Sequence, residues 1–287
     1  MNRMCRSPEV AAGLIKQDIA GVLMKKGLKE VNSISRLSAW CLGSLACSDP
    51  LAEILIAQGL VQASANHLRI CSESPNSAPD DICAAVYIVA RMSRTMKISK
   101  ALAKAGCVKL LAHHLNTSVD PHVLLWTARA VGCLMRPNSS DMSKALLDAG
   151  IAKGLARLPR VLPTEEVEPL ESFAFAIQRF SCAEWDGETR KAFVAAGMVD
   201  SLLAALRAAA DVPYPHVHIE LALAVSFLGD VGGSSIRKQI ISAGGIDTLK
   251  RISAAGTPEV AKACNMAVIS ITGNLWTRNS GTLVFCF

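Results

Sequence analysis

An Ala-Gly or Gln-Gly step leading into an apolar segment recurs along this chain at Gly13, Gly59, Gly106, Gly150, Gly197 and Gly244. The separations are 46, 47, 44, 47 and 47 residues, across a chain of 287. Spacing this even constrains the fold more than any composition can. It fits a stack of helical repeats of the 40–47-residue class, in which each unit buries its apolar face only against its neighbours. The expectation is one array over residues 1–287, of about five to six units.

Each unit has the same internal order. A short helical stretch such as "MSKALLDA" (142–149) or "TRKAFVAA" (189–196) runs up to the glycine, which ends it as a left-handed cap does. After the glycine, apolar residues fall at helical spacing: Val199, Leu202, Leu203 and Leu206 in one unit, Val108, Leu111 and Leu115 in another, Ile246, Leu249 and Ile252 in a third. A polar break follows. A third segment, such as "DICAAVYIVARMSR" or "HVLLWTARAVGCLM", is apolar almost all round, so neighbours must cover it on most sides. The fold class predicted is an all-α solenoid of three-helix units, without strands over 107–116 or 198–210.

Charge and cysteine content narrow the function classes. Thirty Lys and Arg against twenty-four Asp and Glu give a net charge of +6, but the basic residues are scattered and Lys25-Lys26 is as long as a run becomes. That does not form a nucleic-acid footprint. Ten cysteines include no CxxC pair and no cluster at zinc spacing, so they read as small buried hydrophobes in a reducing compartment, the cytoplasm first, with the nucleus kept open. Uncharged apolar runs such as "ICAAVYIVA" (82–90) fall short of the roughly 18–20 residues of a membrane span.

The candidate chemistry is thin. No phosphate-cradling glycine loop, HExxH or GxSxG occurs, and no catalytic residue, metal ligand or cofactor is predicted. His122 and His216 occupy the place of Glu259 in "DPHVLLW", "YPHVHIE" and "TPEVAKA", where Pro sits at the first helical position, so they mark helix starts. Adjacent His113 and His114 point about 100° apart on a helix and do not address one ion together.

Short helix, glycine, "GGIDTLKRI", then a Pro-Glu-Val start to an Ala-rich helix, and the ending "LGSLAC" in the first unit, together resemble the armadillo repeat over about residues 5–275. The resemblance implies a right-handed superhelix whose third helices line a concave groove. It also implies that peptide-binding members place a Trp on that helix and, four residues on, an Asn that grips a peptide backbone. "WCLGSLA" is similar to that motif with Ser44 in the Asn place. Along the chain the Trp places read Trp40, Tyr87, Arg129, Phe175, Leu223 and Met266, and the Asn places Ser44, Arg91, Cys133, Arg179, Phe227 and Ser270.

The missing amide ladder and the arginines Arg91, Arg129 and Arg179 argue against a basic cargo. The function expected is a non-enzymatic scaffold whose groove binds a segment of another protein, acidic or phosphorylated, through Trp40, Ser44, Tyr87, Arg91, Arg129, Phe175 and Arg179. "VLLWTARAVGCLM" followed by a "DAG" step is also similar to armadillo-built exchange factors and chaperones of small GTPases, which implies a regulator of that kind as the alternative. A third reading is the regulatory armadillo portion of a larger multidomain protein. The last third helix is expected to reach about Trp276, with residues 278–287 an irregular apolar tail and self-association through an uncapped end a further option.

Overall fold

The computed structural model describes residues 7–136, 139–183 and 187–273, and among them every regular element is helical. The helices fall into six triads. The first is α1 (Pro8–Lys16), α2 (Ile19–Val22), which runs into a π turn at Leu23–Gly27, and α3 (Ser33–Leu45). The second comprises α4 (Asp49–Ala57), α5 (Leu60–Glu73) and α6 (Pro79–Met92), and the third α7 (Met96–Lys104), α8 (Cys107–Thr117) and α9 (Pro121–Leu134). Then come α10 (Ser140–Asp148), α11 (Ile151–Val161) and α12 (Glu168–Cys182), followed by α13 (Gly187–Ala195), α14 (Met198–Ala209) and α15 (Pro215–Val231). The last is α16 (Gly233–Ser242), α17 (Gly245–Ala255) and α18 (Pro258–Thr272). Contacts group the chain into two compact units, Met1–Ile151 and Ala152–Phe287. The tail expected at 278–287 lies outside the described residues.

The glycine spacing becomes one repeated turn. Gly59, Gly106, Gly150, Gly197 and Gly244 have φ between 71° and 94°, where a Cβ is disfavoured by about 1–2 kcal/mol. Each glycine N–H donates to the carbonyl three residues back, as Gly59 does to Ile56 at 2.8 Å, which closes the first helix. The Gly59 carbonyl then accepts from Ala63 N–H at 3.1 Å, which opens the next. One residue therefore ends a helix and starts another, and the sharp corner follows.

The first triad departs from this. Gly13 lies inside α1, and the left-handed residue is Asp18, at φ 58°. Its N–H donates to Ile15 at 3.0 Å and its carbonyl accepts from Val22 at 3.1 Å, the same turn built five residues later. Asp tolerates this conformation better than most residues with a Cβ, which is why the corner survives without glycine.

In the first unit α6 stacks between α3 and α9, and in the second α15 stacks between α12 and α18. These third helices form the core, with Leu42, Val86, Ile88, Val89, Val131 and Leu134 inaccessible in one unit and Phe173, Phe180, Leu221 and Val225 in the other. Proline at the first position of α6, α9, α15 and α18 starts each without wasting a backbone donor. Asp120 and Thr257 cap α9 and α18, accepting from Val123 and Val260 N–H. Between successive triads of the first unit run ion pairs at a near-constant sequence offset: Arg36–Asp81 at 2.8 Å, Arg94–Asp49 at 2.5 Å and Lys97–Glu53 at 3.4 Å.

Candidate partner-binding face

In the first unit, a narrow stripe along the third helices is partly open to solvent. On α9 it consists of His122, Trp126, Arg129 and Cys133, spaced i, i+4, i+7, i+11 along one helical face. The matching places on α3 are Ser33, Leu37, Trp40 and Ser44, anchored by "LGSL" (42–45) against "VGCL" (131–134). On α6 they are Asp80, Ala84, Tyr87 and Arg91.

Three aromatic rings meet across this stripe. Trp40 and Tyr87 stand with centroids 4.4 Å apart, Tyr87 and Trp126 5.0 Å apart edge to face, and Trp40 and Trp126 5.5 Å apart. Such geometry adds about 0.5–1.5 kcal/mol per pair beyond area burial. Tyr87, at the centre, is only 8% exposed, while both Trp side chains stay partly open. Gly43 makes the cluster possible, because a Cβ there would lie 2.6 Å from the Tyr87 ring.

The sequence-predicted residues divide. Trp40, Tyr87 and Arg91 come together, the Arg91 guanidinium donating through Nε to the Gly43 carbonyl at 3.4 Å. Ser44 is adjacent but fully enclosed, and its hydroxyl faces Tyr87 Oη at 3.3 Å. It joins α3 to α6 and has no surface to offer a partner, which corrects its place among the exposed site residues. Arg129 is half-buried on α9, three residues beyond Trp126. Phe175 and Arg179 sit one turn apart on α12 in the second unit, both partly exposed, with Glu171 one turn before Phe175.

Trp126 is the residue that repeat-by-repeat assignment misses, since Arg129 holds the Trp place of α9. It lies three residues back on the same face, so scanning i−3 for aromatics would have found it. In the second unit the stripe also carries Glu220, whose carboxylate accepts from Gln178 Nε2 at 2.7 Å, and His216, 3.8 Å from Glu171. Its flavour is mixed rather than basic.

The remaining titratable groups are structural. His114 is buried and bonded through Nε2 to Ser72 at 2.8 Å, and burial beside His113 lowers its pKa to about 4. His67, fully enclosed, is also pushed down by burial, and His218 Nε2 bonds the Ala209 carbonyl at 2.6 Å. His122 and His216 are exposed at the starts of α9 and α15. Burial raises the Cys71, Cys83 and Cys107 thiols to about 12 and Cys264 to about 11, which removes their nucleophilic form at neutral pH. Cys47, Cys71, Cys83, Cys107 and Cys264 carry free thiols. Among those residues no three His, Cys, Asp or Glu side chains converge as a metal site, and no single helix is long and apolar enough to cross a membrane.

No family model and no curated protein matches the chain. Solved structures do. An engineered protein superposes with a TM-score of 0.74 at 20% identity, covering 88% of this chain and 99% of its own. A computationally designed armadillo repeat protein for modular peptide recognition superposes at 0.68 and 17%, covering 86% and 98%. A designed armadillo repeat protein in complex with the peptide (KR)4 superposes at 0.70 and 17%, covering 87% and 98%. The fold is therefore an armadillo-type α-solenoid.

Proposed function

We propose that this chain is a non-enzymatic repeat scaffold that holds a segment of another protein along the third helices of its first unit. The observation that carries the reading is the Trp40–Tyr87–Trp126 cluster, which leaves two Trp edges open beside Arg91 and Arg129. Large rigid aromatics next to guanidinium groups are the residue types that dominate binding energy at protein surfaces. Designed proteins of the same shape are made for peptide recognition, which supports the scaffold class.

The partner segment carries an apolar or aromatic residue followed by a carboxylate or phosphate. The apolar group covers the Trp edges and the anion meets the arginines, whose planar fork suits it. One designed neighbour holds a basic peptide, whereas Arg91 and Arg129 repel one here. The free thiols of Cys47, Cys71, Cys83, Cys107 and Cys264 fit a reducing compartment, cytoplasm or nucleus.

The test is selection from a displayed peptide library on the full chain, followed by fluorescence anisotropy with the enriched sequences. Acidic or phosphorylated peptides with an apolar neighbour should emerge, and Trp126→Ala with Arg129→Ala should weaken them on the order of ten-fold or more. The helical circular-dichroism spectrum should be unchanged. Enrichment of basic peptides, or binding indifferent to both substitutions, would overturn the reading.

A further inference from the structure

Matching positions on α3 and α9 are buried alike except along one line. Val123 and Ala130 on α9 are 1% and 0% exposed, and Asp81 and Ile88 at the same places on α6 are 3% and 0%. On α3 those places are Ile34 and Cys41, and Leu37 lies between them. Ile34 is 67% exposed, Leu37 65%, and Cys41 is partly open. On α6 this line is the side that receives α3: Asp81 accepts from Arg36 there, and the Ile88 backbone comes within 3.5 Å of where a Gly43 Cβ would stand. The face of α3 thus has the composition and spacing of a helix-receiving surface, i, i+3, i+7, and among the described residues nothing covers Ile34 or Leu37.

Its surroundings are basic. Lys29 stands in the segment leading into α3, five residues before Ile34, and Lys25 and Lys26 lie on the π turn that packs against α3. All three are exposed, as are the carboxylates of Asp18 and Glu30. Gly27 of the π turn is in close contact with Ser38, one turn along the helix from Ile34, which brings the π turn and its lysines to the Ile34 side of α3.

We propose that this face of α3 is a second docking surface, adjoining the aromatic stripe at Leu37, which takes an amphipathic helix of a partner protein whose apolar edge is bordered by carboxylates. The apolar edge covers Ile34, Leu37 and Cys41 as α3 itself covers α6. The carboxylates meet Lys25, Lys26 and Lys29, which orient the helix and quicken its encounter more than they hold it.

The probe is a fluorescein-labelled, side-chain-stapled peptide of about sixteen residues, long enough to stay helical, with Leu at i, i+3, i+7 and Glu on both flanks. A twin carries Lys for every Glu. Anisotropy with the full chain should show the acidic peptide binding at least about ten-fold more tightly than its twin. Leu37→Asp and Ile34→Asp should abolish binding. Both side chains are exposed, and at Ile34 an acid lies in the first turn of α3, where it favours the helix, so these variants keep the fold. Trp126→Ala with Arg129→Ala should leave this binding unchanged, which separates it from the aromatic site. Failure of the acidic peptide to bind, or equal binding of both peptides, overturns the proposal. So does a concentration-dependent dimer on a sizing column that Leu37→Asp converts to monomer, since the occupant would then be a second copy.

Discussion

The two units are built from the same triad, but only the second places aromatic rings in its helix–helix core, alongside Phe175, Tyr214 and Phe227, which stay at least partly exposed. In the first, Trp40, Tyr87 and Trp126 gather at the accessible stripe, and the helix–helix core beneath is aliphatic. In the second, Phe173, Phe180 and Phe193 are 0–1% exposed, with Phe180 and Phe193 5.2 Å apart inside the core. Polar links replace aromatics between its third helices: Gln178 to Glu220, and Ser226 to Ser270 at 2.8 Å. A ring at the stripe is available to a partner, whereas a ring in the core stabilises only the fold. The difference therefore divides binding from stability.

The largest test of that division is a pair of deletions. Phe180→Ala should cost about 3–5 kcal/mol, and Trp126→Ala, half-buried, less than about half of that. Denaturant melts of both variants decide it. Equal costs would mean that the Trp cluster is core, and the binding assignment of the first unit would fail.

Acid should next pick out the first unit. His114 is held neutral in the folded state with its pKa lowered to about 4, while the unfolded chain protonates near 6.5. The unfolded state then binds the extra proton, so stability is intact above about pH 6.5 and falls as the pH drops toward 4, by on the order of 2–3 kcal/mol. His67, pushed down by the same burial, acts in the same direction. Melting temperature followed from pH 7 to pH 4 should drop less in His114→Gln than in the parent, once both are referred to their neutral-pH values. An identical pH slope would remove His114 as the cause.

Two glycines sharpen the comparison further. Gly43→Ala would bring a methyl to 2.6 Å from Tyr87, whose ring is wedged between two Trp rings, and should cost about 1–3 kcal/mol. Gly229→Ala meets its neighbours on α18 at 3.5–3.6 Å, ordinary contact, and should gain up to about 1 kcal/mol from helix propensity. Opposite signs in two thermal melts are the expected result. The smallest effect belongs to Lys97→Ala, which breaks an exposed pair with Glu53 and should stay within about 0.5 kcal/mol.

The triads, their corners and their proline starts were legible in the sequence because each is a local matter. A left-handed corner needs glycine at one residue, a helix start tolerates proline at one position, and an apolar face repeats every 3.6 residues. Even the exception was local: Asp18 makes the corner that Gly13 was expected to make, and nothing in its neighbours announces it.

The pairing of side chains between triads was not legible, because it depends on the angular phase between stacked helices. One residue of slip turns a side chain by about 100°, and the third helices here start at unequal intervals. Sequence placed Arg129 where a Trp was sought, and stacking brought Trp126 to the cluster instead. Sequence offered Ser44 as a contact, and the approach of Tyr87 enclosed it. Ile34 read as an ordinary apolar position until packing covered its counterparts Asp81 and Val123 and left it open. The chain alone determined what each triad is; only the tertiary stack decided which side chains meet and which remain free to meet something else, since burial is a property of neighbours and not of residues.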